Sequence, residues 1–137
     1  MVGKNPAYKR YVRRMAVLAI VYIGAVVLSS SLIPDDAPPD PLNIAIALVP
    51  GFAVLGVIWA MGRLLIELDD EYLRMLEVRK FIVATGLALA VASVWGLLEL
   101  MTTVPKLPVF YIFPLWCIGL AVGAVFNKLT LGDAGCA

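Results

Sequence analysis

The chain contains 137 residues, 62% of them hydrophobic, and its mean hydropathy is +0.94. A soluble domain of this length cannot bury so much apolar surface, so the composition predicts one integral membrane domain over residues 1–137. The formal net charge of +1 excludes the strongly basic face that a nucleic-acid-binding protein needs.

The residue types that carry most acid–base and metal chemistry are scarce. The chain has no histidine, which is the commonest general base and metal ligand. Cys117 lies in an apolar run and Cys136 near the C-terminus, so the two cysteines form neither a disulfide framework nor a metal-ligand motif. We therefore expect a protein that is not an enzyme and that holds no metal and no cofactor.

Four apolar runs, in chain order, predict transmembrane helices at about residues 15–33, 42–66, 81–103 and 109–128. The first run is longer than the apolar region of a signal peptide, so we expect an uncleaved helix. The loop after it, PDDAPPDP (34–41), contains too many prolines to be helical. Pro50 should kink the second helix. The predicted fold is an all-α membrane four-helix bundle.

The third helix is expected to extend beyond the membrane. A charged leader, DDEYLRMLEVRK (69–80), continues without a proline into the apolar sequence FIVATGLALAVASVWGLL (81–98). One helix over this stretch is ~50 Å long, against ~30 Å of hydrocarbon. We therefore predict a helical leader over residues 67–80 that projects into the cytoplasm.

The distribution of Lys and Arg predicts the orientation of the chain. With both termini in the cytoplasm, only Lys106 among the 11 basic residues lies outside. The cytoplasmic set is Lys4, Lys9, Arg10, Arg13, Arg14, Arg63, Arg74, Arg79, Lys80 and Lys128. The positive-inside rule therefore favours an N-in, C-in protein of a bacterial inner (cytoplasmic) membrane.

The leader of the third helix carries the clearest interaction pattern. Its acidic residues cluster at a predicted helix N-terminus, where they cap free N–H groups and offset the helix dipole. An apolar stripe of Leu68, Tyr72, Met75 and Leu76 follows the same stretch. The stripe packs locally on neighbouring helices or docks a cytosolic partner. The candidate partner-binding residues are Asp69, Asp70, Glu71, Tyr72, Arg74 and Met75.

Small residues recur at four-residue spacing on the third and fourth helices. They are Ala84, Ala88, Ala92 and Gly96 on the third helix, and Gly119 and Gly123 on the fourth. Such stripes let helices approach closely in lipid. Packing within the bundle is the favoured interpretation, and a homo-oligomer face is the alternative.

Glu99 is the one acid in the apolar part of a predicted span, near its outer end. One interpretation is an interfacial carboxylate in contact with headgroup water or with Lys106. The other is a proton or cation site, because ionisable groups inside membranes are often functional.

The basic start YKRYVRR (8–14), the four spans and the leader D-E-Y-x-R-M-L-x-V-R-K (70–80) resemble small bacterial four-span inner-membrane proteins with a charged leader before the third span. In similar groups this leader reads D-E-R, whereas Tyr72 stands at the third position here. The resemblance implies work with a transcriptional regulator of the helix-turn-helix type. It implies no catalytic residues.

Taken together, the sequence favours a non-enzymatic accessory or regulatory subunit. It would bind a cytosolic or membrane protein partner through residues 69–80. The alternative function is a small oligomeric transporter or channel that uses Glu99. The lipid bilayer is an expected partner in both cases, and nucleic acid in neither.

Overall fold

In the computed structural model, which describes residues 5–135, the chain is all-α. Four α-helices span Pro6–Leu32 (α1), Pro41–Glu67 (α2), Glu71–Met101 (α3) and Ile112–Leu131 (α4), and a 3₁₀ turn, Val109–Tyr111, precedes α4. All four are long and apolar enough to cross a membrane, and no strand occurs in the described range. The predicted all-α class is confirmed, as are four helices long and apolar enough to span a membrane.

Large apolar side chains are exposed along the helices. Ile20, Leu42 and Leu100, for example, are 72%, 70% and 79% exposed. A soluble protein rarely leaves so much apolar surface in contact with water, whereas lipid chains cover it without cost. These faces suit contact with a bilayer.

The chain forms two compact units that divide after Glu67. In the first hairpin, α1 packs against α2, and in the second hairpin, α3 packs against α4. Lys4 and Cys136 lie outside the described residues.

The first hairpin is closed by local polar contacts at its ends. Asn5 caps α1 by accepting a hydrogen bond from the Ala7 N–H at 2.9 Å. At the other end, the Ser29 hydroxyl donates to the carbonyl of Ile46 at 3.0 Å, which joins α1 to α2. The helix α2 continues through Pro50.

The first helix of the second hairpin, α3, is capped by an acidic side chain. Asp70 is the N-cap of α3, and its carboxylate accepts the N–H groups of Tyr72 and Leu73 at 2.8 and 3.4 Å. The bounds differ from the leader predicted over residues 67–80, because Glu67 ends α2 and residues 68–70 connect the helices. From Glu71 to Met101, α3 has 31 residues, or ~46 Å of helix.

Glycines allow α4 to approach α3 at backbone contact. A Cβ added at Gly119 would lie 2.6 Å from the Ala84 Cα, and one added at Gly123 would lie 2.9 Å from the Lys80 Cα. A larger side chain at either position would force the two backbones apart. At its end, α4 stops on Gly132, whose φ of 77° suits glycine.

Candidate functional site

The first three turns of α3 have two different faces. On one face, Leu76 and Glu77 are fully buried and Lys80 is 5% exposed. On the other face, Tyr72 and Met75 are 44% and 41% exposed. The helix thus buries a charged pair while two large apolar side chains remain uncovered.

The candidate partner-binding residues all lie on or beside this exposed face. Asp69, Glu71 and Arg74 are exposed. The neighbouring Tyr72 and Met75 are exposed as well. Arg74 also donates a hydrogen bond to the carbonyl of Leu68. We define the exposed docking face as Asp69, Glu71, Tyr72, Arg74 and Met75.

Two members of the predicted apolar stripe do not belong to this face. Leu68 and Leu76 are both 0% exposed, whereas Tyr72 and Met75 are 44% and 41% exposed. Met75 precedes Leu76 by one residue and is therefore turned about 100° from it around the helix. Tyr72 lies on the same side as Leu76 but one turn earlier, in the first turn of α3, where it stays partly exposed. Asp70 is likewise committed to capping α3.

Beneath the docking face lies a buried polar cluster. Glu77 and Lys80 form an ion pair of 2.8 Å, at a spacing that brings i and i+3 together on a helix. From α4, the buried Asn127 donates to the carbonyl of Leu76 at 2.8 Å. Buried charges destabilise a fold unless they are paired, and the Glu77–Lys80 contact supplies that pairing within α3. Only the Asn127 hydrogen bond in this cluster joins α4 to α3. The sequence signal for Asn127 is that it continues the four-residue spacing of Gly119 and Gly123.

Gly135, in the tail that follows α4, adds to the same cluster. It is buried, and a Cβ there would lie 2.6 Å from Oε1 of Glu77. Its N–H donates to the Asp133 carboxylate at 3.0 Å. The tail thus covers the buried carboxylate of α3 with a residue that has no side chain.

The predicted small-residue stripe is used unevenly. Ala84 and Ala88 are buried, at 0% and 4% exposure, and Gly119 of the same chain packs on Ala84. Ala92 is half-buried, whereas Gly96 is exposed with no atom near its missing side chain. The cytoplasmic half of the stripe, in the predicted orientation, is therefore occupied within the chain.

Glu99 lies at the opposite end of α3 and holds the following loop. Its carboxylate accepts the N–H of Leu107 at 2.6 Å, and Trp95 donates to the carbonyl of Pro105 at 3.1 Å. Lys106 is exposed, and no ion pair joins it to Glu99 within the described part of the chain. This geometry gives the carboxylate a structural task.

The first hairpin carries a second charged cluster. The carboxylate of Glu67 lies 3.0 Å from Nε of Arg10, 2.9 Å from Arg14 and 3.1 Å from Arg63. Arg14 also stacks over Trp59, 5.5 Å from the ring centre. Sequence spacing indicates the Arg63–Glu67 pair, because i and i+4 meet on a helix. The α1 arginines are distant in sequence, and only the folded hairpin brings them to Glu67.

Neither cluster provides a metal site: residues 5–135 contain no group of three or more His, Cys, Asp or Glu side chains arranged to hold a metal ion.

Comparisons with protein-family models, with curated proteins and with solved structures find no match to this chain. Its function has to be inferred from its own residues.

Proposed function

We propose that the chain is a non-enzymatic accessory subunit that binds a protein partner through the exposed docking face at the start of α3. The observation that carries the proposal is the exposure of Tyr72 and Met75, at 44% and 41%, beside exposed charged residues. Lipid covers exposed apolar side chains inside a membrane, but residues flanked by Asp69, Glu71 and Arg74 belong in water. In water, binding to a protein partner would bury the exposed side chains of Tyr72 and Met75.

The residue types on the docking face indicate which side chains the partner presents. Aromatic and Met side chains are enriched in the centres of protein interfaces, where they supply most of the apolar contact. Asp69 and Glu71 add negative charge at the rim, which favours a basic segment on the partner and speeds association. We infer a partner that presents apolar side chains flanked by Lys or Arg.

The proposed orientation places this face in the cytoplasm of a bacterium, with both termini on the same side. Its support is the bias of basic residues, of which only Lys106 falls in the outer set. The hydrogen bond from the buried Asn127 of α4 to the carbonyl of Leu76 supports a packed platform beneath the face, since it joins α4 to α3.

The proposal is tested by co-purification after gentle detergent extraction and cross-linking. The variant D69K/E71K reverses two exposed charges and leaves the Asp70 cap intact, so we expect α3 to form and the partner to be lost. The matched control is D35K/D36K, which reverses two exposed acids in the loop between α1 and α2. Unchanged partner recovery with D69K/E71K contradicts the proposal, as does equal loss with the control.

The alternative is a small oligomeric transporter or channel that uses Glu99. The observation in its favour is a half-buried carboxylate on an otherwise apolar part of α3. The variant E99Q keeps an oxygen that can accept the Leu107 N–H and removes the charge, so it separates transport from folding. Ion- or pH-dependent flux in liposomes that E99Q abolishes would support transport. Liposomes containing the unmutated protein that show no flux rule it out.

A further inference from the structure

The arginine cluster around Glu67 has more positive charge than its one carboxylate can balance. Arg10, Arg14 and Arg63 converge on Glu67, and no other acid lies within ion-pair distance of them in residues 5–135. Two positive charges therefore remain uncompensated. We name Arg10, Arg14, Arg63 and Glu67 the arginine cluster.

The arginines retain donors for a second anion. Arg10 uses its Nε on Glu67, which leaves both Nη groups of a side chain that is 45% exposed. Arg63 contacts Glu67 through one Nη, and its side chain is also 45% exposed. Guanidinium groups bind carboxylates and phosphates in the same fork geometry. The carboxylate of Glu67 holds the three guanidinium groups close together at a surface that an anion from solution or from the membrane can reach.

The position of the cluster along the hairpin identifies a type of anion. From Arg14 to the end of α1 is ~27 Å of helix, and from Arg63 back to the start of α2 is ~33 Å, close to the ~30 Å thickness of the hydrocarbon. The arginines therefore lie at one boundary of the bilayer, at the depth of the lipid phosphates.

Trp59 supports the same placement. It lies under Arg14 and is 58% exposed. Tryptophan favours the membrane–water interface, where its ring contacts lipid while its N–H stays in polar surroundings. An aromatic ring beside guanidinium groups provides contacts for both the acyl chain and the headgroup of one lipid.

We propose that the arginine cluster binds the phosphate of an anionic phospholipid headgroup at the end of the first hairpin. Both helices contribute a guanidinium, so a bound lipid would bridge α1 and α2. Basic pockets between transmembrane helices are suited to such headgroups, and each basic residue near the surface adds to the affinity. This site is separate from the docking face on α3 and does not depend on the proposed partner.

The test is native mass spectrometry of the full chain in detergent, with phosphatidylglycerol or phosphatidylcholine of identical acyl chains. We expect the unmutated protein to retain phosphatidylglycerol preferentially. The variant R10Q/R63Q should lose retention by about fivefold or more for each guanidinium removed. The matched control, K9Q/R13Q, removes two exposed charges from the same turns of α1 outside the cluster, and should lose less.

Two further measurements distinguish a lipid headgroup from free phosphate and separate loss of binding from misfolding. Lipid that stays bound in excess inorganic phosphate supports a site for the lipid headgroup. Complete displacement of the lipid by inorganic phosphate overturns it, because the guanidinium groups would then form a site for free phosphate. If R10Q/R63Q is not monodisperse, R10K/R63K keeps the charges but not the forks, and should still lower retention. No preference for phosphatidylglycerol, equal loss in R10Q/R63Q and K9Q/R13Q, or full retention in R10K/R63K overturns the proposal.

Discussion

The carboxylates in this chain have different structural roles, and their positions in the sequence do not show which carboxylate has which role. Asp70 caps α3, Glu77 is buried against Lys80, and Glu99 accepts the Leu107 N–H. Only Asp69 and Glu71 are left exposed on the docking face. An acidic residue near a helix end is thus informative about binding only after its hydrogen bonds are known.

The structural task of Glu99 leads to a prediction at the residue scale. The variant E99L removes the acceptor of the Leu107 N–H, and an unsatisfied, partly buried N–H costs about 1–3 kcal/mol. The variant E99Q keeps an acceptor oxygen. Thermal unfolding in detergent should therefore show a lower midpoint for E99L than for E99Q, with E99Q close to the unmutated protein. Equal midpoints for the two variants would show that the loop does not depend on this bond.

At the scale of elements, the pairing of α3 with α4 depends on a few residues without side chains. Gly119 and Gly123 place the α4 backbone against Ala84 and Lys80, and Asn127 continues the same row with a hydrogen bond. Close approach of this kind stabilises helix pairs in lipid, where exclusion of water contributes nothing.

This packing predicts the outcome of two glycine substitutions of the same kind. Gly119→Ala puts a methyl group 2.6 Å from a backbone atom of α3, and such overpacking typically costs about 1–3 kcal/mol. Gly96→Ala places the same methyl in open space on α3 and should be neutral or gain up to ~1 kcal/mol from helix propensity. Thermal unfolding in detergent checks both. A Gly119→Ala protein as stable as Gly96→Ala would contradict the close contact.

Much of this element structure is predictable from the sequence. Long apolar runs predict the four helices. The sequence predicts a helical leader from residue 67, whereas α3 begins at Glu71, because a charged helix and a capped connection are alike in composition. The Arg10–Glu67 contact and the position of Gly135 against Glu77 were not predictable, because both join residues more than 50 positions apart. No local spacing encodes such contacts.

For the whole molecule, the bias of basic residues predicts a single orientation, with the loop 33–40 outside and the end of α4 inside. In a background without Cys117 and Cys136, the variant D36C should react with a membrane-impermeant maleimide in intact cells. The variant K128C should react only after the membrane is permeabilised. Both side chains are exposed in the structure, so access to the reagent depends on the membrane alone. Labelling of K128C in intact cells would reverse the orientation and place the docking face outside.

The same orientation gives the two clusters of charge different surroundings. The arginine cluster closes the end of the first hairpin at the predicted inner boundary of the bilayer. On the second hairpin, the docking face begins the long helix α3 and is proposed to lie in water. One small membrane protein would thus bind a lipid headgroup through one hairpin and a protein through the other.

The most direct test of the central claim is photo-cross-linking in living cells from single positions on α3. A photoreactive residue at Met75, which is 41% exposed, should capture a protein as a discrete higher-mass species. The same residue at the adjacent, fully buried Leu76, or at Leu97 in the membrane-spanning part, should capture none. Capture at position 75 alone is the predicted result. No adduct at position 75, or the same adduct at all three positions, would contradict a docking face on α3.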